Sequence, residues 1–142
     1  LDEHWPTNLP QGIIHADMFQ DNVFFKDSKF SGLIDFYFAC HDFLAYDIAI
    51  TINAWCFNNK GNFDNDKFQS LISGYQMNRL LNHAEKQSMH ILLRGAAIRI
   101  LITRLYDQLY HPAGAFVIPK DPLEYFSILQ FHQTHNLFEA KI

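Results

Sequence analysis

Two short apolar runs split by four polar residues set the strongest limit on how this chain folds. Val23-Phe24-Phe25 and Phe30 to Ile34 flank Lys26-Asp27-Ser28-Lys29. Aromatic and β-branched runs joined by a polar turn predict a β-hairpin. Gly12-Ile13-Ile14 before it reads as a strand end, and His15 to Asp21 as a loop. After the hairpin the spacing changes to steps of three and four. Ala45, Ile48, Ala49, Ile52 and Cys56 predict a helix from about Leu44. Asp64 or Asn65 caps a second helix that buries Phe68, Leu71, Ile72 and Tyr75. Asn82 with Glu85 three residues on is a capping box for a long helix, about Ala84 to Tyr110. Its predicted core stripe is Ile91, Gly95, Ile98, Ile102, Leu105 and Leu109. A Pro/Gly loop, His111 to Pro119, precedes a last helix capped by Asp121. Pro122 opens that helix, and Leu123, Phe126, Leu129 and Phe131 are its apolar residues. The result is an α+β chain, mostly α: a small hairpin followed by about four helices.

Composition removes whole classes of function. The 142 residues suit one domain. With 49% hydrophobic residues the chain is not a disordered tail. A net charge of -4 gives no electrostatic footprint for nucleic acid and no polybasic membrane patch. No uncharged apolar run approaches the ~20 residues that span a bilayer. Cys40 and Cys56 make no disulfide framework and are expected to be reduced, buried thiols of a cytoplasmic protein. His132 and His135 lack the company of a zinc site and are expected on a solvated helix surface.

The chemistry concentrates between His15 and Asp35. Asp17 and Asn22 lie in the loop, and Asp35 follows the second hairpin strand, so the hairpin brings residues distant in sequence together. Such a set suits phosphoryl transfer. One carboxylate orients an attacking hydroxyl and accepts its proton, while a carboxylate and an amide oxygen hold Mg²⁺, a hard cation. Asp17 would face the hydroxyl; Asn22 and Asp35 would face the metal. Taken singly, Asp17 and Asn22 are ordinary turn residues, Asp35 is a local cap, and His15 is a structural hydrogen-bonding residue.

His15-Ala16-Asp17, Asn22 and Ile34-Asp35-Phe36 together resemble the aminoglycoside phosphotransferase and choline kinase family, which has the protein-kinase-like fold. Tyr37 stands where protein kinases carry glycine, as in the small-molecule branch. Tyr46-Asp47-Ile48-Ala49 resembles the family's following helix; the resemblance implies that Asp47 and His15 support the catalytic loop, although Asp47 also reads as a helix-start cap. GIIHADMFQDNVFF, SGLIDFYFAC, AYDIAITINAWCF, RGAAIRILITRLYD and PKDPLEYF are similar to the homoserine kinase branch of this family, over about Leu9 to His132. The resemblance implies ATP and Mg²⁺ as cofactors, homoserine as substrate and a place in threonine biosynthesis. It also implies a single C-terminal lobe over 1–142, with the catalytic and metal-binding hairpin at 11–36 and a helical acceptor region at 43–138.

The family places a nucleotide-holding N-terminal lobe before this point, and residues 1–14 are too few to form it. That lobe is expected in cis or as a separate chain. The isolated 142 residues are then expected to turn over little, with exposed rings around Phe19, Phe36 and Phe38. An acceptor carboxylate calls for an arginine fork, and Arg99 and Arg104 are the candidates. Arg94 and Arg99 lie about 140° apart around the helix, so these arginines do not all face one ligand. Arg104 also reads as a surface partner of Asp107. Another hydroxylated amine as acceptor, such as an amino sugar or a choline-like alcohol, and a non-catalytic assembly role stay open at this level.

Overall fold

The computed structural model describes residues 2–58, 60–111 and 118–139. Four strands come first: β1 Gln11–Ile14, β2 Val23–Lys26, β3 Lys29–Leu33 and β4 Cys40–Phe43. Four helices follow: α1 Leu44–Trp55, α2 Asn65–Gln76, α3 His83–Leu109 and α4 Pro122–Thr134. Most of the predicted loop at 111–119 lies outside the described residues. No helix among them is long and apolar enough to cross a membrane.

The predicted hairpin is β2 paired antiparallel with β3. Asp27 and Ser28 form its turn with φ of 50° and 60°, the left-handed pair that matches strand twist in a two-residue hairpin. A second two-stranded ribbon was not legible in the sequence: β1 pairs with β4, from Gln11 opposite Phe43 to Ile14 opposite Cys40. Leu44 N–H also donates to Pro10 O at 3.0 Å. This ribbon carries the loop after β1 to the start of α1.

The helices form the core, with α3 packed against both α1 and α4. Asp64 and Asn82 cap α2 and α3, and the Asn82–Glu85 box is closed in both directions. The predicted face of α3 is wrong. Its buried stripe is Met89, Leu92, Leu93, Ala96, Ala97 and Ile100, whereas Ile102, Leu105 and Leu109 are exposed. Both stripes keep the helical period. The observed one contains Ala96 and Ala97, which are buried, as are Ala45 and Ala49 of the packed helix α1. The partners α1 and α4 have 12 and 13 residues against 27 in α3, too few to cover two faces. On α4 likewise, Tyr125, Ile128 and His132 are buried, while Leu123 and Phe126 are exposed. Cys56 is buried as expected, but Cys40 is exposed. Phe36 and Phe38 are exposed together with the hairpin rings Phe24, Phe25 and Phe30; Phe19 is half-buried.

His132 is not on a solvated surface but is 1% exposed. Its Nε2–H donates to Asn53 Oδ1 at 2.8 Å, and Asn53 Nδ2 donates to Leu93 O at 3.0 Å. Three helices are thereby joined through one neutral imidazole. Burial, with Arg94 and His135 nearby, pushes the His132 pKa down to about 4 from 6.5. The folded state then holds His132 neutral where the unfolded chain takes up a proton. The contribution is fully present above pH 6.5 and is lost as pH falls toward about 4. Urea unfolding of the chain is expected to lose about 2–3 kcal/mol across that window. In His132→Gln the same pH change is expected to have a much smaller effect.

Candidate active site

The loop joining β1 to β2 is shaped from below by α1. Asp47, in the first turn of α1, accepts His15 N–H at 3.1 Å on one carboxylate oxygen and Ala16 N–H at 2.8 Å on the other. Ala16 has φ of 60°, which costs a non-glycine residue about 1–2 kcal/mol. Two charge-assisted bonds offset that strain. His15 Nε2–H donates to Ile34 O at 3.0 Å, so the loop is also tied to the end of β3. Trp55 Nε1–H donates to Met18 O at 2.8 Å and fixes the far side of the loop to the end of α1.

Asp17 then points out of a backbone held on three sides. Asn22 Nδ2 donates to Asp17 O at 2.8 Å and to Asp17 Oδ2 at 3.1 Å. Ile34 N–H donates to Asn22 O at 3.1 Å, which locks Asn22 to the segment that leads from β3 to Asp35. Asp35 is left-handed as well, with φ 60° and ψ 64°. Asp17, Asn22 and Asp35 line one cleft of about 200 Å³ with Thr103, Arg104 and Lys120. Burial raises the Asp17 carboxyl above its ordinary 3.8, against the opposing pull of the Asn22 bond and of Arg99. A carboxylate raised in this way is a better proton acceptor than an exposed one.

Both hydrogens of the Asn22 amide go to Asp17, which leaves Oδ1 without a donor among the described residues. That oxygen and the Asp35 carboxylate are hard donors of the kind Mg²⁺ selects. Among the described residues, no three His, Cys, Asp or Glu side chains gather to hold a metal alone. The donor set therefore fits an ion that brings phosphate oxygens and water as its remaining ligands.

Both arginines expected as acceptor ligands are engaged by groups of the protein itself. Arg99 Nη2 donates to Ala16 O at 2.9 Å, and its guanidinium lies 5.4 Å from the Phe38 ring centre. It buttresses the loop beside Asp17. Arg104 does not pair with Asp107. It bonds Glu124 at 2.6 Å and Asp121 O at 3.1 Å and lies 4.5 Å over the Tyr125 ring. Asp21 and Lys120 were not singled out by sequence reasoning, yet they border the same cleft. Lys120 Nζ meets Asp21 at 2.8 Å and lies over Phe19. A second cavity of about 350 Å³ shares Phe19, Asp21, Arg104 and Lys120 with the first and adds Glu124 and Tyr125.

The loop places an aspartate and an asparagine beside a second aspartate that follows the hairpin. The profile of the "Phosphotransferase enzyme family" matches residues 1–81. The chain belongs to this family. Its hairpin followed by helices is the C-terminal lobe of a protein-kinase-like fold. Curated relatives agree. The chain is 56% identical over 133 residues to "Homoserine kinase" of Sinorhizobium fredii, covering 94% of this chain and 41% of that protein. It is 56% identical over 134 residues to "Homoserine kinase" of Agrobacterium fabrum, covering 94% and 42%. It is 56% identical over 136 residues to "Homoserine kinase" of Rhodopseudomonas palustris, covering 96% and 42%. The chain thus spans about two fifths of the length of these relatives.

The phosphotransferase loop depends on Asp47 for its shape. Asp47→Ala leaves two backbone N–H groups without an acceptor and Ala16 without its restraint. Chemical denaturation of this variant is expected to show a loss of about 2 kcal/mol. Asp47→Asn, which offers one acceptor oxygen in place of two, is expected to lose less.

Proposed function

We propose that the protein carrying this chain transfers the γ-phosphoryl group of ATP to the side-chain hydroxyl of homoserine. The observation that carries the reaction type is the convergence of Asp17, Asn22 and Asp35 on one cleft. The substrate rests on identity of about 56% along nearly the whole chain to proteins named homoserine kinase.

In this reading Asp17 is the proton acceptor. One of its oxygens is occupied by Asn22; the other is open toward the cleft, where the acceptor hydroxyl would sit. The hydroxyl oxygen forms a bond to the γ-phosphorus, its proton passes to Asp17, and the bond to the β-phosphate oxygen breaks to release ADP. Asn22 Oδ1 and Asp35 would hold Mg²⁺, which supplies neutralisation of phosphate charge when bound. Asn22 keeps two tasks apart: its amide hydrogens orient Asp17 and its carbonyl oxygen faces outward. Arg99, Asp47 and His15 act at one remove, by fixing the loop backbone. Catalysis of this type is mainly positioning and electrostatics, and that matches a site whose side chains are restrained before any ligand arrives.

Asp17→Asn in the full-length form tests the role. The amide keeps the shape but takes no proton, and a loss of about 10²–10⁴-fold in kcat is expected. Because burial disfavours the ionised Asp17, the melting temperature at neutral pH is expected to hold or to rise by a few degrees, about the shift that less than 1 kcal/mol produces. Activity within about threefold of the parent would remove Asp17 from the mechanism.

A further inference from the structure

Resting on the reading above, we infer that Lys120 and Asp21 recognise the two charges of an α-amino acid acceptor by exchanging their mutual ion pair for contacts to it. The motif containing Lys120, PKDPLEYF, has no other role in the proposed chemistry. Yet Lys120 and Asp21 both border the cleft that holds Asp17 and Asp35, and both border the adjoining cavity. With Phe19 and Arg104 they form the border between the two spaces.

The acceptor is a zwitterion with a hydroxyl at its far end. Its hydroxyl has to reach Asp17, so its carboxylate and ammonium have to lie further along the same trough. Among the described residues three cations border or approach that trough, and two are already committed. Arg99 supports Ala16 O. Arg104 is clamped by Glu124 and Asp121 O and has only 10% of its side chain exposed. Lys120 is different. Its side chain is 57% exposed, and that of its partner Asp21 is 62% exposed. A pair in such contact with water contributes about 0–1 kcal/mol, so separating it costs little. An incoming carboxylate takes the place of Asp21 on the ammonium of Lys120, and Asp21, released, accepts the ammonium of the ligand. Each charge keeps a partner throughout, which avoids the cost of leaving one unpaired. Phe19 lies 5.4 Å below the Lys120 ammonium and holds it at the border of the trough.

The adjoining cavity has an aromatic wall. Tyr125 is 1% exposed, and its hydroxyl has no hydrogen-bond partner among the described residues. Tyr125 also lines that cavity. The hydroxyl is closed off, so Tyr125 contributes wall there and not a ligand contact.

Acceptor discrimination in the full-length form tests this. The readout is the ratio of kcat/KM for homoserine to that for 3-aminopropan-1-ol, which lacks the carboxylate. Lys120→Met is expected to lower the ratio about 10- to 100-fold, and Lys120→Arg, which keeps the charge, to restore most of it. Asp21→Asn is expected to lower the parallel ratio against 4-hydroxybutyrate, which lacks the ammonium. A purely structural role for Lys120 would depress both acceptors together and leave the ratio unchanged; that result, or a raised KM for ATP in its place, overturns the inference while the proposed reaction stands. If Lys120→Met does not fold, Lys120→Gln is read in the same way. Failure of the parent enzyme to phosphorylate homoserine overturns the proposed reaction, and this inference with it.

Discussion

The Asp47 carboxylate, taking one backbone N–H on each oxygen, is the contact on which the site depends. It forces Ala16 into a left-handed conformation that the residue would not choose. That twist turns the chain so that Asp17 leaves the loop toward the cleft. The restraint is strong because a charged acceptor serves both bonds, and because Asp47 is itself fixed in the first turn of α1. The helix is in turn held by its packing on α3 and by the burial of Ala45, Ala49 and Ile52 in the core. Core packing thus reaches the Asp17 loop in two steps: helix to carboxylate, carboxylate to loop. The short β1–β4 ribbon closes the same circuit from the other side, since it joins Ile14, just before the loop, to the strand that runs into α1.

The other restraints have a common logic. His15, Asn22 and Arg99 bond backbone carbonyls of the loop or of the strand beside it. They spend their polar groups on position and leave the open oxygens of Asp17, Asn22 and Asp35 facing the cleft. Strain at Ala16 and Asp35 lies at the candidate site, where surrounding bonds hold it in place. The raised pKa of Asp17 carries a related cost: burial that makes it a better base also makes its ionised form less comfortable in the fold.

What the sequence reveals follows from how local each signal is. Asp17, Asn22 and Asp35 were legible because the loop and hairpin that gather them lie within one short stretch. The caps at Asp64, Asn82 and Asp121 were legible because a cap acts within three residues. The face of α3 was not, since two stripes share the helical period and only the partner helices choose between them. β4 escaped notice because His41 and Asp42 give it no apolar alternation, and its pairing with β1 defines it. His132 and Arg104 read as surface residues until their distant partners, Asn53 and Glu124, are placed. Lys120 was missed for the same reason: its partner Asp21 is about a hundred positions away in sequence.

The account stands most directly on the fate of the γ-phosphoryl group. Phosphorus-31 NMR of the full-length form with ATP, Mg²⁺ and homoserine reports it in one tube. The account expects one equivalent of ADP for each equivalent of a new phosphomonoester on the homoserine hydroxyl. ADP formed with inorganic phosphate alone, or no consumption of ATP in the presence of homoserine, would contradict it.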